Sequence, residues 1–118
     1  MSIETTILLP TTTSGDFKSN NQKGAGYHTH NDGVHTFGIF FKNWSGELKI
    51  QGSLELYPSN DDTDWVTLKD VSNNLIVFGD GSSDYDDNYS ATAIGRFVWV
   101  RAVGITTDGE ITQIRYNY

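Results

Sequence analysis

Residues 47–57 read Glu47-Leu48-Lys49-Ile50-Gln51-Gly52-Ser53-Leu54-Glu55-Leu56-Tyr57. Leu48, Ile50, Leu54 and Leu56 fall on one side of an extended chain, and Glu47, Lys49, Gln51 and Glu55 on the other. Side chains alternate between the two faces of a strand, so this stretch predicts a strand with one face on a core and one in water.

Working outward, residues 96–105 have a different pattern. Phe97, Trp99, Val103 and Ile105 share one face, and Val98, Val100 and Ala102 share the other. A strand apolar on both faces is central and covered on both sides. Asp108-Gly109 follows and predicts a two-residue hairpin turn. That turn would set Val103 opposite Ile114 and Arg101 opposite Tyr116. Phe97, Trp99, Ile114 and Tyr116 would then share a face, with Arg101 stacked on Tyr116 or paired with an acid.

Further strands are expected at roughly 4–9, 25–30, 34–42, 64–69, 74–79 and 88–94, each a β-branched or aromatic run cut by Gly, Asn or Asp. Helical periodicity is nearly absent. The expected fold is all-β, a two-sheet antiparallel sandwich, jelly-roll-like. Residues 10–24 are polar, which predicts a first strand and polar arm over 1–24 ahead of a sandwich domain over 25–118.

Composition narrows the function. The chain has 118 residues, enough for one domain with its own core. It has no cysteine, which excludes disulfides and thiolate metal sites. Eight Lys and Arg stand against fifteen Asp and Glu, a net charge of −7. Neither nucleic acid nor an anionic membrane is an expected partner for so acidic a chain. No apolar run is long enough for a membrane-spanning helix. Met1 is followed by Ser2, Glu4, Thr5 and Thr6, so no secretory signal is expected.

All three histidines lie in Tyr27-His28-Thr29-His30-Asn31-Asp32-Gly33-Val34-His35. A turn at Asp32-Gly33 would place His30 opposite His35, with His28 on the same face, close enough to share zinc or a similar metal. The competing reading is that His35 continues the face of Phe37, Ile39 and Phe41 and caps the core. Seven acids gather in two loops, Asp61, Asp62 and Asp64, then Asp80, Asp84, Asp86 and Asp87. Calcium needs several such oxygens at one point. Gly79-Asp80-Gly81-Ser82-Ser83-Asp84 fails the EF-hand pattern, with Ala91 where the bidentate Glu belongs. The competing reading is that Asp and Asn favour turns.

Of the three tryptophans, Trp99 is expected in the core and Trp65 in the core or at its rim. Trp44, in the expected turn Asn43-Trp44-Ser45-Gly46, is the candidate for an exposed glycan-stacking ring. Asn43-Trp44-Ser45 and Asn88-Tyr89-Ser90 match the glycosylation sequon, which means little without a signal peptide. No Gly-x-Ser-x-Gly elbow, phosphate loop or His-Glu-x-x-His motif occurs, and a non-enzymatic role is expected.

Two stretches carry a resemblance. One is Asn43-Trp44-Ser45-Gly46-Glu47-Leu48-Lys49-Ile50-Gln51-Gly52-Ser53-Leu54-Glu55, running on to Thr63-Asp64-Trp65-Val66-Thr67-Leu68. The other is Gly95-Arg96-Phe97-Val98-Trp99-Val100-Arg101-Ala102, closed by Asp108-Gly109-Glu110-Ile111 and Ile114. This order resembles small β-sandwich virion structural proteins of tailed bacteriophages, marine and cyanobacterial ones in particular, over roughly residues 34–116. The resemblance implies a capsid decoration or cement protein, or a tail or baseplate accessory, made in the host cytoplasm and assembled into the virion. It implies contacts with a major capsid or tail protein and a homo-oligomer or symmetric array, and no cofactor. The alternative is a carbohydrate-binding β-sandwich module. Residues 1–33 lie outside the matched region, so the histidine cluster inherits no role from it.

Overall fold

The computed structural model describes residues 5–9, 11, 14–24, 33–79, 85–95 and 97–117. They form an all-β protein, with a single 3-10 turn at Asp62–Asp64 as the only helical element among them. The strands are β1 (Thr5–Leu9), β2 (Gly15–Lys18), β3 (Gln22–Lys23), β4 (Val34–Ser53), β5 (Val66–Thr67), β6 (Val77–Phe78), β7 (Asn88–Ile94) and β8 (Trp99–Asn117). All eight belong to one hydrogen-bonded antiparallel sheet.

The sheet is built on β4 and β8, which pair along almost their whole lengths. A 20-residue strand drawn out straight would span about 66 Å. The longest dimension of the molecule is 38 Å, so the ribbon has to bend. It bends where the pairing slips. Phe40 faces Gln113 but Phe41 faces Ile111; Lys42 faces Glu110 but Ser45 faces Asp108; and Gly46 then faces Thr106. Each slip is a bulge, which kinks and twists a strand. The bend depends on two glycines. Gly109 (φ +69°) would place a Cβ 2.0 Å from the Asn43 carbonyl oxygen, and Gly46 (φ +147°) would place one 2.1 Å from that of Ile105. Asn43 also adopts a positive φ of 47°.

The expected hairpin at Asp108-Gly109 is therefore a bulge inside a continuous strand. The positive φ that this dipeptide favours is present, and the Asp108 carboxylate accepts from the Gly109 N–H at 2.9 Å. Yet the strand continues through it. The register changes with it: Val103 pairs with Lys49, Ile114 with Ile39, Arg101 with Gln51 and Tyr116 with Phe37.

On the amino-terminal side of the bend, β4 is flanked by β7 and β8, and β8 in turn by β1. Past the bend, β5 and β6 line the outer edge of β4, while β2 and β3 line that of β8. Both halves feed one apolar core. Phe37, Ile39, Phe41 and Ile114 come from one half and Leu48, Ile50, Val100 and Ala102 from the other. The bulges also switch the parity of β4: odd residues face the core from His35 to Phe41, and even residues from Trp44 to Ile50.

Residues 14–24 are not an arm. Gly15–Lys18 and Gln22–Lys23 pair with β8, and Ser19 N–H donates to Ala102 O at 2.8 Å. Their polarity is that of short edge strands with a wet face. Leu54 and Leu56, expected to be inward, are 70% and 52% exposed, because β4 ends at Ser53. The strand expected over 25–30 lies outside the described residues.

Candidate interaction surface

His35 is fully buried at the start of β4. Its Nε2 lies 2.7 Å from the Gly95 carbonyl oxygen and its Nδ1 2.5 Å from the Tyr116 hydroxyl. A carbonyl only accepts, so in the neutral ring Nε2 carries the hydrogen and Nδ1 accepts from the Tyr116 O–H. The ring also stacks on Tyr116, with centroids 5.7 Å apart and planes at 10°, and touches Phe97. Both nitrogens are thus engaged in tying β4, β8 and the β7–β8 connection together. A metal would have to displace one of these bonds. His28 and His30 lie outside the described residues, and the described residues contain no group of three metal-ligating side chains. His35 acts here as the cap of the core.

Trp44 is fully buried, contrary to its expected exposure. The parity switch at the bend turns it inward. Its indole N–H donates to Thr106 Oγ1 at 3.0 Å, and its ring stacks on Phe41 at 4.9 Å between centroids. Phe78, Tyr85 and Tyr89 complete the aromatic cluster. No face of Trp44 is open to a sugar, so the glycan assignment is corrected. Trp99, expected in the core, is half-buried, and its N–H donates to Leu56 O at 2.9 Å.

The acidic loops hold themselves in shape. Asp61 accepts from Ser59 Oγ at 2.8 Å, from Thr63 N–H at 3.0 Å and from the Thr63 hydroxyl. These hydrogen bonds, led by the two hydroxyls of Thr63 and Ser59, lower the Asp61 pKa to about 2. Asp64 accepts from Ser59 N–H at 2.8 Å, Asp86 from Asn43 N–H at 3.1 Å, and Asp87 from Asn88 N–H at 2.8 Å. Asp61, Asp64 and Asp87 serve local turns, and Asp86 ties its loop to the bend of β4. Asp80, Asp84 and the Asp62 side chain lie outside the described residues.

The loop after β4 is the feature that sequence reasoning missed. Residues 57–65 fold over the outer face of the sheet and cover Arg101, which is fully buried. Its guanidinium lies 4.1 Å above the Trp65 ring, its Nε–H donates to Gln51 Oε1 at 2.8 Å, and Nη1 donates to Asn60 O at 3.0 Å. Trp65 N–H in turn donates to Ser59 O at 2.8 Å. The signal was the doubly apolar strand 96–105, which required a cover on its second face. The expected stacking of Arg101 is present, on Trp65 in place of Tyr116.

The surface also carries exposed apolar side chains. Leu54, Leu56 and Tyr57, the last 89% exposed, form a run where β4 ends. A second patch, Val71, Leu75 and Val77, borders a groove of about 350 Å³ between residues 70–78 and β7. Clustered exposure of this kind marks contact surfaces.

No family model and no curated protein matches the chain. Among solved structures it is similar to the SPBc2 prophage-derived protein YomS, with a TM-score of 0.64 and 11% sequence identity, over 98% of this chain and 91% of that one. The two share a fold. Identity this low leaves the side chains of YomS uninformative for this surface.

Proposed function

We propose that this chain is a non-catalytic structural subunit of a bacteriophage particle, carried on the capsid or the tail. The observation that carries the reading is the sharing of fold with a prophage-derived protein over 98% of this chain and 91% of that one. The motif order in residues 43–68 and 95–114 supports it from the sequence side. So does the physical character of the molecule. Its conspicuous polar groups, His35, Arg101 and Asp61, are engaged in holding the fold. The apolar side chains at 54–57 and around the β7 groove are those suited to contact.

In this role the bent sheet is a rigid body, and the exposed patches meet a major capsid or tail protein, or neighbouring copies in a symmetric array. Repetition makes individually weak contacts effective, because each copy is held at several points. The test is mass spectrometry of purified virions against infected-cell lysate. The chain is expected at a fixed stoichiometry to the major structural proteins. Abundance in lysate with absence from virions would overturn the reading.

A further inference from the structure

We propose that the outer edge of β7 and the groove beside it receive an extended, basic segment of another particle protein, which adds to the sheet as a strand. The inference rests on the particle reading above and names the contact within it.

The backbone sets the argument. Phe41 N–H donates to Asp87 O at 3.1 Å. Antiparallel pairs alternate between those that exchange hydrogen bonds and those that do not. In the register His35–Ala93, Phe37–Ala91 and Ile39–Tyr89, the odd residues of β7 bond to β4. Asn88, Ser90 and Thr92 therefore turn their N–H and C=O groups away from β4. The Asn88 N–H is taken by the Asp87 carboxylate, and Asp70 bridges Ala93, a pairing that in this register runs through the outward groups of Thr92 and Ile94, so the open stretch is centred on Ser90. Between these two points β7 has no partner strand on its outer side among the described residues. An open edge of this kind is a template for an added strand.

The groove suits such an occupant. Leu75, Val77 and Phe78 form one wall, and Ser90, Ala91 and Thr92 the other. Val77 is 38% and Leu75 55% exposed, so apolar side chains of an incoming strand would find cover there.

Charge decides between a second copy and a different protein. Asp70 lines the groove, Asp86 and Asp87 stand just before β7, and among the described residues no Lys or Arg lines it. Lys69, beside Asp70, is the nearest cation in sequence. The chain as a whole carries −7. A second copy meets like charge here, whereas a segment with Lys or Arg meets opposite charge.

The test uses phage carrying variants of the full chain, with copies per purified particle read by quantitative mass spectrometry and the melting temperature of each purified variant read beside it. Ser90→Pro removes an outward N–H and leaves the β4–β7 bonds intact, since edge positions with outward N–H groups accept proline. Val77→Lys places a positive charge in the groove, and Val77→Glu a negative one. The expected result is a drop of about tenfold in copies per particle for Ser90→Pro and Val77→Lys, with Val77→Glu incorporated like wild type, at melting temperatures close to wild type. Should Ser90→Pro fail to fold, the Val77 pair decides alone. Equal incorporation of both Val77 variants with wild type, or equal loss of both, would overturn the strand proposal while wild-type incorporation leaves the particle reading standing. Absence of the wild-type chain from particles would overturn the particle reading, and this occupant with it.

Discussion

Removing the Trp44 side chain would empty the inside of the bend. The indole is in van der Waals contact with Phe41 and within reach of Tyr85, and its N–H has Thr106 as partner. Trp44→Ala is expected to cost about 3–5 kcal/mol, as other large aromatic deletions in packed cores do. Trp99→Ala should cost clearly less, because Trp99 is half-buried. Urea titration of both variants checks the order, and equal midpoints would contradict it. Asp61 gives a pH-dependent counterpart. Its pKa in the folded chain is about 2, below the ordinary carboxylate value of about 3.9. The hydrogen bonds it accepts therefore contribute stability at pH above about 4, and that contribution is lost as pH falls toward about 2. Asp61→Asn should flatten the stability profile in that window and leave its shape near pH 7 unchanged. Thermal melts at stepped pH would show it. The roles of these residues were unevenly legible in the sequence. His35 continued the Phe37–Ile39–Phe41 face, and its place in the core followed from that. Trp44 did not follow, because it lies within the slip between Lys42 and Ser45 that reverses which side chains point inward, and bulges leave no periodic trace.

At the scale of elements, β1, β2 and β3 decide what truncation does. All three pair with β8, Thr5 with Asn117 at one end and Lys23 with Trp99 at the other. Deleting residues 1–24 would strip β8 of its outer neighbours and expose Val100, Ala102 and Ile114 from one side. The deletion is expected to abolish cooperative unfolding, or to lower the melting temperature by more than 10 °C at the roughly 4–8 °C per kcal/mol usual for a domain of this size. Differential scanning calorimetry would measure it, and a melt like that of the full chain would show that these strands are dispensable. Their pairing was hard to read from sequence because four- and two-residue edge strands have no room for a pattern. Gly15-Asp16-Phe17-Lys18 looks like loop until its partner is known. The long strands were easier. The alternation in 47–57 marked a strand with one wet face, and the double apolarity of 96–105 placed β8 at the centre. Asp108-Gly109 misled, because the positive φ it favours serves a turn and a bulge equally well.

For the molecule as a whole, the arrangement of β8 has a consequence for its manufacture. This strand pairs with β1, β2, β3 and β4, and the first described strand meets its far end. Contacts so distant in sequence make folding slow, in the millisecond-to-second range for β proteins of high contact order. They also postpone it. While the chain is being translated, β4 has β5, β6 and β7 along one edge, but its other edge and the whole of β1 to β3 wait for residues 99–117 to leave the ribosome. Until then Phe37, Ile39, Leu48 and Ile50 have no finished core to enter. Until β8 emerges these apolar side chains stay exposed and prone to aggregation, and a premature stop within β8 is expected to leave a polypeptide open to proteolysis.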